Sequence, residues 1–544
     1  MLTANNWIRS PVSLTNYTPT NARLPRLARV KPSSPFSTHR TSSILPHKLK
    51  NHDLFKQKSY INRQWVGATS SKTFSVKDPA TGEEIASCPD MNLDDLMVAI
   101  ESAKKSFSSY RESSPAERQG YLRRLNQLIL SNAEDLATLI VAENGKCWKD
   151  AMGEVKYAAS FVDWFAEEAL RTNGTIIPSS TPGLRHLVIK QPIGVVAALC
   201  PWNFPAAMIT RKVAPALAAG CSVIVKAPAE TPLTALALAE LTHQAGFPAG
   251  VLNIVTTQSA TPDIGKALCE SQDIRKLSFT GSVSNHYIDR YMCTWLSGVG
   301  RLLMSQSSST LKKLSLELGG NAPFIVFEDA DVDEAVEGAV ACKFRCAGQA
   351  CVSANRFYVH KSIYAEFASK LTKKVSELKI GSGFEDDTLI GPLIDERSLK
   401  KVTRHVELAK EAGAEVLIGG KKVPGDGYFF EPTVLSDVPS GVIDDEETFG
   451  PVAALYKFES ESDVIAKAND CQVGLAGYFY SKDVGRIWRV AEALEVGMVG
   501  ANTGMVSNAV TPFGGIKQSG FGREGSKFGI DEFQIVKYIA MGGL

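Results

Sequence analysis

Nowhere in the 544 residues is there an uninterrupted apolar run near the roughly 18 residues that a membrane-crossing helix requires. Apolar runs such as Val195–Leu199 and Ser222–Val225 have only the length of strands, so membrane insertion is not expected. Cysteine is sparse, with ten residues between Cys88 and Cys471 and no C-x-x-C pair, which excludes a secreted disulfide framework and points to a reducing compartment. The eight histidines cluster neither with cysteine nor with one another, so no metal site is expected. Acidic residues are missing from residues 1–50, which hold eight Lys/Arg, while the rest of the chain has seven more acidic than basic side chains. A mildly acidic body argues against a nucleic-acid surface. The acid-free start also carries thirteen Ser/Thr and the scattered Arg9, Arg23, Arg26, Arg29 and Arg40, the composition of a mitochondrial transit peptide, and a matrix location is expected from it.

What is present is an α/β alternation. From about residue 190, strand-like runs at 194–199, 222–225, 251–255 and 276–279 alternate with helical stretches at 206–219, 231–245 and 263–271. That order predicts a parallel sheet with helices on its faces, which binds ligands at the carboxyl ends of its strands. A second α/β stretch runs from Phe324 to about Val510, with a helix expected over 331–346, and residues 93–171 read as mostly helical. Gly520-Phe-Gly522-Arg-Glu-Gly525 fits a dinucleotide-loop pattern, but it follows a loop and leaves no room for the βαβ unit of roughly 30 residues, so it reads as a glycine turn.

Two residues have the chemistry of a site. Cys351 stands just after a helix in the small-residue loop Gly348-Gln-Ala-Cys351 leading into a strand, and a nucleophilic thiolate there needs an open approach and nearby positive potential. Glu317 ends the apolar strand Leu314-Ser-Leu-Glu317 before a glycine pair, and burial there raises a carboxylate towards the range of a neutral-pH base.

Together with Pro201-Trp202-Asn203-Phe204-Pro205, Lys226, Phe279-Thr-Gly281-Ser282, Glu446-Glu447-Thr-Phe449-Gly450-Pro451 and Pro512-Phe-Gly-Gly515, these segments are in the order and spacing of an aldehyde dehydrogenase, which the chain resembles from about residue 55 to 544. Within that family, residues 207–213 and 522–531 are similar to the succinate-semialdehyde enzymes. The resemblance implies a Rossmann-type cofactor domain at 51–180 and 196–318, an α/β catalytic domain at 319–510, and a small β oligomerisation element at 181–195 and 511–544 that makes a homo-oligomer, dimer or tetramer. It implies Cys351 as nucleophile, Glu317 as the base that activates water, and Asn203 with the Cys351 N–H as oxyanion donors. It places NAD or NADP against Trp202, Lys226, Ala229, Gly281, Ser282, Glu447 and Phe449. It makes Arg211, Arg345 and Ser507 a clamp for the carboxylate of succinate semialdehyde in 4-aminobutyrate breakdown, since guanidinium grips carboxylate bidentately. Glutarate semialdehyde or another small aldehyde acid is the alternative substrate.

The chain also departs from the pattern. Ala229 stands where many NAD-preferring relatives have Glu, so NADP is not excluded, and Ser353 replaces a second cysteine two residues after the nucleophile. Residues 283–298 stand between Ser282 and Val299-Gly300 where the family has two residues, which is expected to disturb the phosphate-binding turn and leaves a catalytically impaired paralogue as a further alternative. We read the segment as retained intronic sequence or a gene-model error, opened by a donor-like Val283-Ser284, with a tolerated surface loop as the alternative. Sequencing transcripts across this junction is expected to recover messages lacking it, and its presence in every message would refute the idea.

Overall fold

A computed structural model describes residues 45–281 and 298–543, so the basic N-terminal stretch up to residue 44, Ser282 and the segment 283–297 lie outside the described residues. Four short strands between Ser59 and Pro89 are followed by four helices: α1 (Leu93–Tyr110), α2 (Pro115–Ser131), α3 (Ala133–Asn144) and α4 (Trp148–Glu168). Reciprocal side-chain caps start the first two, Asn92 with Asp95 and Ser114 with Glu117, which satisfy amide groups that a helix start otherwise leaves unpaired.

The alternation read from the sequence forms an eight-stranded sheet. Its centre is five parallel strands in the spatial order Leu252–Val255, Ser222–Lys226, Val195–Leu199, Ile274–Thr280 and Lys313–Glu317. Helices α5 (Ala207–Ala219), α6 (Pro232–Gln244) and α7 (Thr261–Glu270) connect them. Strands 195–199, 222–226 and 252–255 are buried throughout, which is why they read as continuous apolar runs rather than alternating ones. The strand order reverses between Val195–Leu199 and Ile274–Thr280, so a crevice opens beyond Leu199 and Thr280, where Trp202, Asn203 and Gly281 follow. Helix α8 (Val299–Ser307) then leads into the last parallel strand.

A seven-stranded sheet follows, six of its strands parallel, with Ala322–Val326 beside Ala354–His360 and Ala476–Tyr480. The helix expected over 331–346 is shorter: α9 (Val332–Lys343) stops three residues early. Cys346 (φ 51°), Ala347 (φ 52°) and Gly348 (φ 73°) are all left-handed, which turns the chain back towards the sheet. At Gly348 a β-carbon would stand 2.2 Å from the carbonyl oxygen of Gly450, so only glycine fits there.

The third assembly is a three-stranded antiparallel sheet, Thr175–Ile177 beside Arg185–Pro192 beside Gln534–Met541. Ile535, Val536, Tyr538 and Ile539 are exposed on it, Val536 by 70%. The glycine motif at 520–525 forms a turn, with Gly520–Phe521 pairing antiparallel to Leu316 and Glu317.

Only four residues separate Glu317, the last residue of one sheet, from Ala322, the first of the next, and within that link a β-carbon on Gly320 would stand 2.7 Å from the Cys351 carbonyl oxygen. Gly320→Ala is therefore expected to destabilise the protein by about 1–3 kcal/mol through overpacking, read as a lower denaturant midpoint with an unchanged m-value.

Candidate active site

Cys351 lies between α9 and the strand Ala354–His360, on a loop tied down at several points. The Cys346 amide donates to Asp150 (2.7 Å), and the Tyr478 hydroxyl donates to the Val352 carbonyl (2.9 Å). Gln349 donates through Nε2 to the Pro392 carbonyl (3.3 Å) and accepts from the Ile394 amide (3.0 Å). The thiol is buried, at 9% exposure.

Asn203 reaches this loop from the other sheet, its Nδ2 donating to the Gln349 carbonyl at 3.2 Å, while its Oδ1 is buried without a hydrogen-bond partner. The segment that carries it is held from behind. Lys146 forms a buried ion pair with Glu154 and donates to the Asn203 carbonyl at 2.5 Å. Glu154 also accepts the Ala206 amide (2.8 Å), and Asn144 donates to the Trp202 carbonyl (2.9 Å).

Both carboxylate oxygens of Glu317 are buried and without hydrogen-bond partners. Burial, followed by the negative charge of Glu524, pushes its pKa up to about 7, against the pull of Arg211 and Lys212. Glu447 rises to about 8, again mainly by burial, with Lys401 and Lys343 opposing. The Cys351 thiol is pushed well above its ordinary value by burial and then by the Glu317 and Glu447 carboxylates, with Arg211 as the opposing charge. Thiol, two carboxylates and one guanidinium thus share a single desolvated space, a pattern typical of functional sites.

Arg211 is not the free arm that a clamp suggests. It sits on α5, a helix buried over its whole length, with Met208 on the same face and Lys212 next to it in the chain. Its Nε lies 2.5 Å from Glu524 Oε2 without hydrogen-bond alignment, its guanidinium stacks 3.9 Å from the Phe513 ring, and Nη2 has no partner. Lys212 takes the other Glu524 oxygen and the Thr280 hydroxyl (2.5 Å). Burial favours protonation of Glu524, but Lys212 and Arg211 together outweigh it and hold its pKa below the ordinary range. Arg345 is half-buried, 5.9 Å from the Phe204 ring, with no ion pair among the described residues. Ser507 is half-buried beside the Tyr157 hydroxyl.

Of the residues that the resemblance assigns to a cofactor, Trp202 and Gly281 follow the strands that border the crevice. Lys226 ends its strand opposite Leu199, buried, with no hydrogen bond or ion pair among the described residues. Burial lowers its pKa, with Glu230 opposing. Glu447 Oε1 is likewise buried and unpartnered. Trp202 and Phe449 meet edge-on at 5.6 Å, Phe449 in a left-handed conformation (φ 53°) that a bulky residue rarely adopts. Gly281 donates its amide to the Glu317 carbonyl (3.1 Å), and Ala229 packs on the core while Glu230, one step on, faces Arg397 at 3.8 Å. A buried ammonium without an ion pair at a strand end, and an orphaned carboxylate oxygen, are groups suited to the phosphates and hydroxyls of a dinucleotide.

Sequence reasoning missed Glu524, Tyr157 and the Lys146–Glu154 pair. Glu524 lay inside the glycine motif that was set aside as a turn, where its one acidic residue was the available signal. Tyr157 and the Lys146–Glu154 pair stand in no recognisable motif, and what Lys146 and Glu154 hold, the backbone at Asn203 and Ala206, lies more than fifty residues on.

A buried thiol, a base-range carboxylate and an amide donor beside a dinucleotide crevice define a thiol-dependent oxidoreductase. The chain belongs to the aldehyde dehydrogenase family, whose pattern it matches over residues 65–539. It is similar to succinate-semialdehyde dehydrogenase [NADP(+)] 1 of Schizosaccharomyces pombe, 52% identical over 93% of this chain and 100% of the relative. The glutarate-semialdehyde dehydrogenase of Pseudomonas putida is also 52% identical, over 91% and 99%. The mitochondrial succinate-semialdehyde dehydrogenase of Rattus norvegicus is 47% identical over 90% and 92%. The crystal structure of succinate-semialdehyde dehydrogenase from Burkholderia pseudomallei superposes with a TM-score of 0.87 at 50% identity, covering 91% of this chain and 99% of that one.

Lys146→Met removes one partner of a buried ion pair and releases the Asn203 carbonyl. The expected cost is about 3–5 kcal/mol in denaturant titration, with aldehyde oxidation falling more than the folded fraction does.

Proposed function

We propose that the protein oxidises succinate semialdehyde to succinate with NAD or NADP, as the last step of 4-aminobutyrate breakdown in the mitochondrial matrix. The observation that carries this reading is the guanidinium of Arg211, buried beside Cys351 and Glu317 with one nitrogen left unpartnered, a grip suited to a substrate with a carboxylate. The names of the relatives from fission yeast and rat support the substrate, and the rat relative supports the compartment. The Pseudomonas relative, as similar as the first, favours glutarate semialdehyde, one methylene longer, as a second reading.

In the reaction, Cys351 loses its proton and its sulfur attacks the aldehyde carbon, forming a C–S bond while the carbonyl electron pair moves to oxygen. Asn203 Nδ2 and the Cys351 amide donate to that oxyanion. Arg211 is the charge that opposes the rise in the thiol pKa, so it favours the thiolate as well as the substrate. A nicotinamide, when bound, takes up the hydride that leaves the same carbon. Cys351 is left holding a thioester, and Glu317 takes a proton from the water that hydrolyses it, releasing the acid and the thiolate. Lys226 and Glu447 would hold the cofactor riboses, with Trp202, Ala229, Gly281, Ser282 and Phe449 around them. Arg345 and Ser507 would complete the carboxylate clamp.

The same reading divides the chain into cofactor, catalytic and oligomerisation parts at the boundaries given above. It assigns the exposed face of the three-stranded sheet to contact with further copies of the chain.

The test is to follow reduced-cofactor formation by residues 51–544 with succinate semialdehyde, supplying NAD and NADP separately. A rapid rate with either is expected, and no rate from folded protein overturns the reading. Glu317 must be deprotonated to act as a base, and its pKa is raised to about 7, so the hydrolytic step is expected to gain rate as pH rises through 7 and to lose it below. Glu317→Gln is expected to lower steady turnover about 10²–10⁴-fold while a single burst of reduced cofactor persists.

A further inference from the structure

Helix α4 carries a polar group that none of the steps above uses. The hydroxyl oxygen of Tyr157 is buried and makes no hydrogen bond, although the Ser507 hydroxyl is its neighbour. Its ring packs edge-on against Phe161, with centroids 4.8 Å apart, and the Arg211 guanidinium lies 5.2 Å from the Phe161 ring on the same side of α5. Burial raises the pKa of the phenol, Arg211 and the Ser507 hydroxyl at its oxygen oppose that rise, and Glu524 and Cys351 add to it, so the phenol is coupled to the charges around the thiol while its O–H has no acceptor.

Arg211 supplies a second unmatched donor. Glu524 occupies the neighbourhood of Nε, Nη1 faces only the Met208 sulfur at 3.8 Å, and Nη2 has no partner. A buried donor left without an acceptor costs about 1–3 kcal/mol, so two in one pocket mark the place of an absent acceptor. Glu524 already offsets much of the Arg211 charge, so Arg211 grips an incoming anion less strongly than a free guanidinium, and an added neutral O–H strengthens the grip without adding charge next to Lys212.

We propose that Tyr157 is a specificity-determining residue that donates its phenolic O–H to the distal carboxylate of the aldehyde substrate, adding a donor to the clamp of Arg211, Arg345 and Ser507. This rests on the carboxylated-aldehyde reading above. An uncharged aldehyde of the same length leaves the Tyr157 O–H and Arg211 Nη2 unpaired, and sites built to hydrogen-bond a substrate group reject analogues lacking it. The aldehyde carbon stays at Cys351, so Tyr157 acts on binding and selection rather than on the bond-making steps.

The experiment compares steady-state kinetics of the full chain and Tyr157→Phe with succinate semialdehyde and with butanal, and measures inhibition by succinate. The variant is expected to raise the KM for succinate semialdehyde and the inhibition constant of succinate about tenfold, as for loss of a hydrogen bond to a charged group, with kcat within about twofold and the KM for butanal unchanged. An unchanged KM for succinate semialdehyde, or an equal rise for both aldehydes, overturns the role of Tyr157 while the substrate reading stands. A parent protein that uses butanal as readily as succinate semialdehyde overturns the substrate reading itself, and this role with it. Turnover of butanal by the variant shows that it is folded. If it is not, Tyr157→His, which keeps a ring N–H donor, is expected to retain the preference for the acid, and loss of that preference with butanal turnover intact overturns the proposal.

Discussion

The link Glu317-Leu318-Gly319-Gly320-Asn321 is the constraint on which the site depends, because it ends one parallel sheet and starts the other within a few residues. It puts Glu317 at the carboxyl edge of the first sheet and leads directly to the amino edge of the second, where Cys351 stands before the strand Ala354–His360. The glycines allow the link to pass against the Cys351 carbonyl, a position where a β-carbon on Gly320 does not fit. Thiol and carboxylate therefore face each other because the chain has little freedom to place them elsewhere.

Burial then sets the electrostatics. Removing Cys351, Glu317 and Glu447 from water favours their neutral forms, the Glu317 carboxylate raises the other two further, and Glu524 raises Glu317. Arg211 and Lys212 offset this from α5, and Glu524 in turn holds those two cations. The balance leaves the Glu317 pKa near neutrality, the range in which a carboxylate can accept a proton and still be present in its ionised form. Lys146 and Glu154 play the equivalent part for Asn203, fixing the backbone behind it rather than touching the thiol.

The glycine motif at 520–525 shows how one segment serves a purpose its pattern does not suggest. Its glycines, left-handed at 520, 522 and 525, let the turn pair with Leu316 and Glu317, and the turn carries Glu524 into the buried cluster. As a dinucleotide loop it was rightly discounted, since it lacks a βαβ setting, yet its acidic residue is one of the main determinants of the Glu317 pKa.

Much of the framework was legible in the residues alone. The buried parallel strands and their helices follow from apolar runs alternating with helical periodicity, and Cys351, Glu317 and Asn203 stand in local motifs whose residue types have few other uses. The early end of α9 was not legible, because Cys346 and Ala347 have no intrinsic preference for the left-handed region and adopt it only through contacts with Asp150 and the Gly450 segment. Nor was the pairing of Arg211 with Glu524, more than three hundred residues away, or the orphaned hydroxyl of Tyr157. Local composition decides which segments become strands, helices and reactive loops, because those preferences act over a few residues. Which charges are matched and which donors are left open depends on desolvation and on partners brought together from distant segments, and only the folded chain decides that.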